Sequence, residues 1–413
     1  MTSPDKLDAV AVTGDKPDIL AHVRHLSETI GPRGSTTEAE LAATKYVAEQ
    51  LATMGLEAKL ENFDSAYSAY TPYAIATGLF LLSVFLFRQP QMAVDAAAAL
   101  FLGGVIFVAV LMELRFKDNL LRWVQSRGDS TNVIAVIPAA QSESPADPPI
   151  VITAHVDSHR TPLLFSSAGF LKLFQYLLPA TLLSMAVLLV LFFLGMFSDA
   201  QWLRDIALIP GAVVLLAFLL MLQADFTPFS AGADDNASGV GVALNLAQRL
   251  REQPLQTRAV HLVFTGCEEV ACYGADAYFA QHRTELNNAV HLVIDQVGHT
   301  QADPCIVRGE RFLIAAPSDP KLLELADQVI AAHPELHAHS RHLNLAYSEL
   351  SVGVRYGLRT IGLGAMLRTG QPVATWHRPT DTIDHIGADV LTRCATLAWQ
   401  LLQRIDQINA SHT

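Results

Sequence analysis

The sequence predicts an α/β protein in which a mixed, largely parallel central sheet carries helices on both faces and is interrupted by two transmembrane helical hairpins. Strand-like runs alternate with helical patterns over most of the chain, which is typical of parallel sheets. Two long apolar blocks break that alternation. Apolar residues make up 51% of the 413 residues and charged residues only 16%. This balance is shifted away from that of soluble domains, so we expect lipid to be part of the solvent.

The amino-terminal part has the pattern of soluble α/β structure. Apolar residues at three-and-four spacing predict helices in "DILAHVRHLSETIG" and in "TTEAELAATKYVAEQLATMG", the second opened by Thr36 or Thr37 and closed by Gly55. Alternation in "LEAKLENF" predicts a strand. The first residues lack the basic start, apolar core and small-residue cleavage site of a secretory signal, so we expect no export signal there.

The two apolar blocks each have the pattern of a helical hairpin. The first comprises residues 73–87 and 93–114, and the second comprises 173–197 and 206–222. Three of these segments reach about twenty residues, which is enough to cross a hydrocarbon layer of about 30 Å, and the first is shorter. Buried core helices are the alternative for shorter apolar segments. We predict four membrane helices, with the rest of the chain on one side of the membrane.

Lys and Arg residues near the helix ends predict which side that is. The side with most of the chain carries seven of them, and the hairpin tips carry only Arg88 and Arg204. The seven are Lys59, Arg115, Lys117, Arg122, Arg127, Arg160 and Lys172. Because cytoplasmic segments are enriched in Lys and Arg, this asymmetry predicts a multi-pass membrane protein with its α/β domain on the cytoplasmic face.

Outside the hairpins, predicted at 72–114 and 171–224, the segments 1–71, 115–170 and 225–413 form one predicted α/β domain. Its further strands are predicted in "STNVIAVIP", "PPIVITAHVDSH", "TRAVHLVFTG", "AVHLVIDQVG" and "RTIGLGA". Its further helices are predicted in "GVGVALNLAQRL", "DAYFAQH", "PKLLELADQVIAAH" and "DVLTRCATLAWQLLQRIDQI".

Charge and cysteine content exclude some classes of protein. The formal charge is −12 and Lys and Arg form no cluster, so we expect no nucleic-acid partner. The four cysteines show no CxxC spacing, so we expect neither a disulfide framework nor a cysteine zinc site.

Acidic and imidazole side chains follow the predicted strands at the points where the strands end. They are His155 and Asp157 in "AHVDSH", Asp235 in "GADDNASG", Glu268 and Glu269 in "FTGCEEV", Asp295 in "VIDQVG" and His377 in "WHRPTDTID". Each has an ordinary alternative: a helix cap for the aspartates of "GADDNASG", a core residue for His155, a solvated pair for Glu268 and Glu269. Asp295 differs, because a carboxylate after "VHLVI" is costly to bury without a partner or a cation.

Histidine and carboxylate ligands without cysteine suit zinc, and a catalytic zinc keeps a position open for water. Two zinc ions that share one carboxylate can activate a bridging water and polarise a carbonyl, and a further carboxylate must then accept the proton. The residues therefore predict a hydrolytic zinc site at one edge of the sheet.

The ordered set HxD, GADDNASG, GCEEV, strand-end VID and WHRPTDT resembles the family of co-catalytic di-zinc aminopeptidases, which includes aminopeptidase Y, glutamate carboxypeptidase and the glutaminyl cyclases. The resemblance covers residues 17–71, 129–160 and 229–408. It implies two zinc ions per chain, with the following ligands: His155 and Asp295 on one ion, Glu269 and His377 on the other, and Asp235 bridging both. It also implies that Glu268 is the general base and that Asp157 orients the ring of His155.

The sequence also departs from the family pattern. The second apolar block lies between His155 and Asp235, so both of its ends must lie beside the metal site, and the pocket should face the membrane surface. "VACYGAD" and "AYSELSVG" replace motifs that are common in relatives, which leaves the side-chain preference for substrate open. Candidate substrate-binding residues are His159, Arg160, Tyr347 and Ser348.

The sequence thus predicts a membrane-embedded zinc metallopeptidase, most simply an aminopeptidase, acting on peptides or on amphiphilic, membrane-derived amides. One alternative is an amidohydrolase for N-acyl amino acids or lipopeptides, and another is a glutaminyl cyclase, for which one tightly held ion would be typical. A third is a non-catalytic membrane scaffold, against which the complete ligand set speaks. Membrane lipid is an expected partner, and the oligomeric state stays open.

Overall fold

A computed structural model describes residues 18–89, 92–141, 148–344 and 346–407. Nine strands form one sheet in the order β1-β2-β4-β3-β5-β9-β6-β7, and β8 pairs with β6 beside that path. The strands are β1 (Lys59–Ala66), β2 (Arg127–Ile137), β3 (Ile150–His155), β4 (Val260–Thr265), β5 (Val290–Ile294), β6 (Asp303–Arg311), β7 (Ala315–Pro317), β8 (His339–Asn344) and β9 (Arg359–Met366).

The four central strands β4, β3, β5 and β9 are parallel, so their carboxyl ends lie at one edge of the sheet. Strands β1 and β2 continue the sheet antiparallel on one side, and β6 joins β9 antiparallel on the other. The predicted α/β class with a mixed sheet that is parallel at its centre is therefore confirmed.

Thirteen α-helices lie within the described ranges. They are α1 (Ile19–Arg24), α2 (Glu38–Thr53), α3 (Thr71–Phe87), α4 (Met92–Glu113), α5 (Leu120–Val124), α6 (Ala168–Gly195), α7 (Gln201–Ile206), α8 (Leu208–Asp225), α9 (Gly239–Glu252), α10 (Tyr273–Gln281), α11 (Pro320–Ala332), α12 (Glu349–Arg355) and α13 (Ala388–Asp406). The sequence predicted most of these, and Thr37 caps α2 by accepting a hydrogen bond from the Glu40 amide.

Helices cover both faces of the sheet because alternate strand residues are apolar on both sides. On one face, Ile152 and Leu262 pack with α1, α2, α9, α11 and α13 in the main core. On the other face, Val151 and Val263 pack with Tyr278 of α10 and Val352 of α12. Burial on both sides explains the continuous β-branched runs of the central strands.

The apolar blocks form two helical hairpins that pack together. Helix α3 packs against α4 and α8, and α6 packs against the same two helices, so the four surround a common axis. Three segments are long and apolar enough to cross a membrane, namely Ala93–Glu113, Ala168–Gly195 and Gln201–Asp225. Helix α3 has 17 residues and is shorter. Crossing of the membrane by all four helices stays a prediction.

The half of this bundle at the hairpin tips is solidly packed. Phe192 of α6 lies between Phe80 and Phe87 of α3, with ring centroids 6.3 and 5.0 Å away. Gly195 of α6 lets the helices approach, because a Cβ there would overlap the Phe87 ring. Small residues at such contacts are typical of helices that pack in lipid.

Sequence patterns missed the far side of the sheet. No apolar periodicity in the sequence identifies β6, β7, β8 or α12 as regular elements. The residues of β8 are only half-buried or exposed. Their pairing with β9 is set by tertiary contacts rather than by local propensity.

Candidate metal centre

The parallel strands deliver their carboxyl-terminal residues to one point. His155 is the last residue of β3, Asp295 directly follows β5, and Glu268 and Glu269 lie three and four residues beyond β4. Asp235 lies on the tight turn before α9, and His377 lies on the loop between β9 and α13. All five ligand residues implied by the resemblance therefore come together, although more than two hundred residues separate the first from the last.

One group of donors centres on His155. Its Nε2 atom lies 3.4 Å from Asp235 Oδ1 and 3.5 Å from Asp295 Oδ1. These three donor atoms lie within 4.8 Å of one another, a spacing that can hold one metal ion. Glu268 Oε2 is 4.0 Å from the same His155 nitrogen, which places that carboxylate at the edge of the group.

A second group centres on Glu269 and His377. His377 Nε2 lies 3.7 Å from Glu269 Oε2 and 3.2 Å from Asp235 Oδ2, so the two oxygens of Asp235 face the two groups. His159 joins this second group, with Nε2 3.9 Å from Glu269 Oε2 and its ring stacked on that of His377 at 3.5 Å. A bridging carboxylate requires this arrangement of Asp235.

The donor atoms fit a metal because they lack other partners. Within the described part of the chain, three of the buried donor atoms make no hydrogen bond: His155 Nε2, Asp235 Oδ2 and Asp295 Oδ1. Leaving one buried polar atom unsatisfied costs about 1–3 kcal/mol, so three of them at one point favour bound cations.

Asp157 holds the metal-facing residues in place. Its carboxylate accepts hydrogen bonds from the backbone amides of Glu268 and Glu269, both at 3.1 Å, and from Ser35 Oγ at 2.7 Å. Oδ1 also lies 3.4 Å from His155 Nδ1, the ring nitrogen that faces away from the donor group. Asp157 therefore fixes the two glutamates and the histidine ring through one side chain.

The turn that carries Asp235 is tied to two other loops. Asp381 accepts hydrogen bonds from the amides of Asp234 and Asp235, at 2.8 and 3.2 Å. Asn236 Nδ2 donates to the Ile294 carbonyl at 2.9 Å, which connects the turn to the end of β5 beside Asp295. Sequence reasoning missed Asp381, although it stands in the same "WHRPTDT" motif as His377.

Arg33 is a second residue that sequence reasoning missed. It is fully buried, and its guanidinium donates to the carbonyls of Val156 and Gly232, both at 2.9 Å. It therefore joins the segment after β3 to the turn before Asp235, across the insertion of α6, α7 and α8. The only signal was an arginine in the short "GPRGS" segment between two helices.

Burial raises the pKa of Glu268 and of Glu269 well above their usual range, and burial raises the pKa of Asp234 to about 7. Burial would also raise the pKa of Asp235, but the adjacent His155 and His377 hold that pKa below its usual value. Burial alone would lower the pKa of His155, yet the carboxylates of Asp157, Asp235 and Asp295 raise it well above its usual range. A site this rich in carboxylates favours bound cations.

The four candidate substrate-binding residues are not equivalent. His159 lies at the second donor group, with Nε2 3.1 Å from the Tyr70 hydroxyl. Tyr347 and Ser348 line the cavity described next, and Ser348 Oγ donates to Glu310 at 2.9 Å. Arg160 lies apart from that lining, because it donates to the Thr227 carbonyl at 2.6 Å and stacks on Phe229.

A cavity of about 800 Å³ opens on the donor groups and continues between the hairpin helices. Asp235, Glu268, Glu269, Asp295 and His377 form part of its lining, together with residues of α3, α4, α6 and α8. The hairpins begin and end at the metal centre, and Asp225 at the end of α8 accepts a 2.7 Å hydrogen bond from Thr71 Oγ1 at the start of α3.

Known proteins share this fold and part of this sequence. The profile of Peptidase family M28 matches residues 217–402. A zinc aminopeptidase from Bacillus subtilis superposes with a TM-score of 0.55 at 15% identity, covering 95% of this chain and 96% of that chain. No curated protein sequence matches.

Two further proteins of similar structure have names that describe different activities. A glutaminyl cyclase from Porphyromonas gingivalis superposes with a TM-score of 0.54 at 15% identity, covering 93% of this chain and 96% of that chain. A leucine aminopeptidase precursor from Bacteroides thetaiotaomicron does so with a TM-score of 0.52 at 15% identity, covering 94% and 96%.

Fold, site and comparisons together define a zinc metallopeptidase. Residues 217–402 match the profile of Peptidase family M28, and the predicted resemblance to the zinc aminopeptidases and glutaminyl cyclases is confirmed.

Proposed function

We propose that the protein is a membrane-embedded aminopeptidase that hydrolyses amide bonds with two zinc ions and Glu268 as general base. The observation that carries this proposal is the convergence of two groups of His and carboxylate donor atoms at the carboxyl edge of the sheet, three of them buried without a hydrogen-bond partner in the described residues. His155 and Asp295 would hold one ion, His377 and Glu269 the other, and Asp235 both. Bound zinc supplies Lewis acidity that polarises the scissile carbonyl and lowers the pKa of water.

Glu268 is placed to move the proton. Its Oε2 atom lies 4.0 Å from His155 Nε2, and its Oε1 atom accepts a hydrogen bond from Cys272 Sγ at 3.2 Å. Within the described residues, no Lys or Arg forms an ion pair with this carboxylate. Burial raises the pKa of Glu268, which makes the carboxylate a stronger base than an exposed glutamate. It would take a proton from the attacking water and deliver it to the leaving amine.

The second donor group favours hydrolysis over cyclisation. A glutaminyl cyclase using one tightly held ion would need only one complete set of donors. Here His377, Glu269 and His159 form a second set beside that of His155, Asp235 and Asp295. Two ions that share Asp235 account for all of them.

An amidohydrolase for N-acyl amino acids or lipopeptides is the second candidate function. The cavity favours it because apolar residues of the hairpin helices line the space next to the metal centre. The same feature supports amphiphilic or membrane-derived substrates for the aminopeptidase. Location of the domain on the cytoplasmic face rests on the seven basic residues near its membrane helices.

Detergent-purified protein tests the proposal with amino-acyl amides that release a chromogenic amine. We expect activity that a chelator removes and added zinc restores. Activity on N-acyl amino acids together with inactivity on every free amino terminus would replace the aminopeptidase by the amidohydrolase. Inactivity on both series, with zinc bound, would contradict hydrolysis.

A further inference from the structure

We propose that the part of the cavity between the hairpin helices holds one hydrocarbon chain of the substrate and limits the length of chain that the enzyme accepts. This inference rests on the proposed function and specifies its substrate class as single-chain amphiphilic amides. We call this part of the cavity the apolar arm. Its walls come from α3, α4, α6 and α8, and its open end is the metal centre.

Helix α6 forms the longest wall of the apolar arm. Leu171, Phe174, Leu178, Leu182 and Met185 all line the cavity, and their three-and-four spacing places them on one face of the helix. The wall from Leu171 to Met185 is about 21 Å long at about 1.5 Å per residue. One leaflet of a bilayer has a hydrocarbon depth of about 15 Å, so the arm can take a chain of that length.

Aromatic side chains connect the arm to the metal centre. The ring of Phe165 lies 4.7 Å from that of His377, 5.1 Å from Trp376 and 5.6 Å from Phe174, and all four residues line the cavity. A chain in the arm would therefore emerge beside a metal-facing histidine. This continuity places the head of the chain where the scissile amide must lie.

The other end of the arm is closed. Beyond Met185, which is 1% exposed, the bundle is filled by Phe80, Phe192 and their neighbours. A chain that reaches Met185 can extend no further without displacing packed side chains, and overfilling a packed core is destabilising. The closed end therefore sets an upper limit on chain length.

The geometry excludes a substrate helix in the arm. Four helices packed around one axis at about 8–10 Å between neighbours leave diagonals of about 11–14 Å, whereas a helix with side chains is about 10–12 Å wide. That diagonal is measured between the axes of two opposite helices, and half the width of each helix already occupies part of it. The remaining space is too narrow for a fifth helix. A single extended chain is the occupant that fits an apolar space of this shape.

The test compares Leu182, which faces the arm, with its neighbour Leu183, which is 66% exposed on the outside of the bundle. Leu182→Trp narrows the arm, Leu183→Trp adds the same bulk on the outside, and Met185→Ala lengthens the space at its closed end. Two substrate series are used, one with the alkyl chain on the acyl side of the amide and one with it on the amine side, each from short to long chains.

In the wild type we expect kcat/KM to rise up to about fourfold per methylene in one of the two series, until a limiting length is reached. Leu182→Trp should move that limit to shorter chains and Met185→Ala to longer ones, while Leu183→Trp keeps the wild-type profile. The series that responds identifies which side of the amide carries the chain. Identical profiles for Leu182→Trp and Leu183→Trp would overturn the inference, and activity on short amides would leave the proposed function intact.

If no amide is hydrolysed, a binding measurement can still test the apolar arm separately from the proposed hydrolytic function. Calorimetric titration with straight-chain fatty acids measures occupancy of the arm without catalysis. We expect long chains to bind the wild type and Leu183→Trp with equal affinity and Leu182→Trp at least about tenfold more weakly, as the loss of two or more buried methylenes implies. Equal affinity in all three proteins would overturn the inference whatever the activity.

Discussion

The carboxyl edge of the sheet and the hairpin bundle beside it are held together in opposite ways. At the sheet edge, buried polar groups bond across the chain, as Asp157 does with Ser35 and with the Glu268 and Glu269 amides. In the bundle tips, Phe80, Phe87 and Phe192 pack without polar contacts between them. Hydrogen bonds fix the positions of metal donors to within fractions of an ångström, whereas apolar packing sets only the shape of a space.

The difference explains how a helical insertion can interrupt an α/β domain. Arg33 connects the segments on either side of α6, α7 and α8, and Asp381 ties the turn of Asp235 to the loop of His377. These contacts position the donor residues without involving the bundle. The bundle is then free to shape the space that substrate enters. Variants in the two regions should therefore have different effects.

The largest effect is expected at the sheet edge for Glu268→Gln. Loss of the general base should lower kcat by about 10²–10⁴-fold, while bound zinc and the unfolding transition stay as in the wild type. Steady-state kinetics with metal analysis on the same sample measures both. A variant that keeps wild-type kcat would assign the proton transfer to another residue.

The next effect distinguishes the two halves of the bundle. Phe192→Ala should lower the free energy of unfolding by about 3 kcal/mol, because it leaves a void among packed rings. Leu182→Ala should cost less than half as much, since Leu182 already borders a cavity. Thermal unfolding in detergent measures both, with Leu183→Ala, at an exposed position of the same helix, as the control near zero. Equal losses at positions 182 and 192 would mean that the apolar arm is filled by protein.

A pH effect on stability is expected at the sheet edge, and Glu40 contributes to it. Glu40 accepts hydrogen bonds from the Cys267 amide at 2.8 Å and from Ser130 Oγ at 2.9 Å. Burial raises its pKa to about 7, and nearby Asp157 adds to the shift. A carboxyl group whose pKa is raised by folding contributes stability at low pH that is lost as the pH rises through about 7.

Glu40→Gln should therefore reduce the loss of stability between about pH 4.5 and pH 7, by up to about 3 kcal/mol at about 1.4 kcal/mol per pKa unit. Thermal unfolding across this range tests it. Glu38→Gln, an exposed change on the same helix, should keep the wild-type profile. If the stability of the wild type and of Glu40→Gln changed with pH in the same way, Glu40 would not have the raised pKa that we assign to it.

The smallest effect is expected for Asp381→Asn, which removes one of the two acceptors for the Asp234 and Asp235 amides. Side chains that orient metal ligands contribute about 10–100-fold to metal affinity or activity, so zinc affinity should fall within that range. Competition with a chelator measures it. Asp384→Asn, an exposed change in the same loop, is the matched control. Equal zinc affinities for the two variants would show that Asp381 does not help to position the metal-binding residues.

The sequence predicted the central strands and the residues that the structure brings together at the candidate metal centre, because both leave local signals. A β-branched run ending in a carboxylate, as at Asp295, is visible without a structure. Arg33 and Asp381 act through contacts with residues 123 to 199 and 146 to 147 positions away, which no local pattern reveals. The apolar arm was equally hidden, because the lining face of α6 and its outer face are both apolar in sequence.

The zinc content of detergent-purified protein tests the central claim most directly. We expect two zinc ions per chain in the wild type and a loss of zinc in Asp235→Asn, because both donor groups share that carboxylate. Wild-type protein that binds no zinc, or an Asp235→Asn variant that keeps both ions at unchanged affinity, would contradict the account.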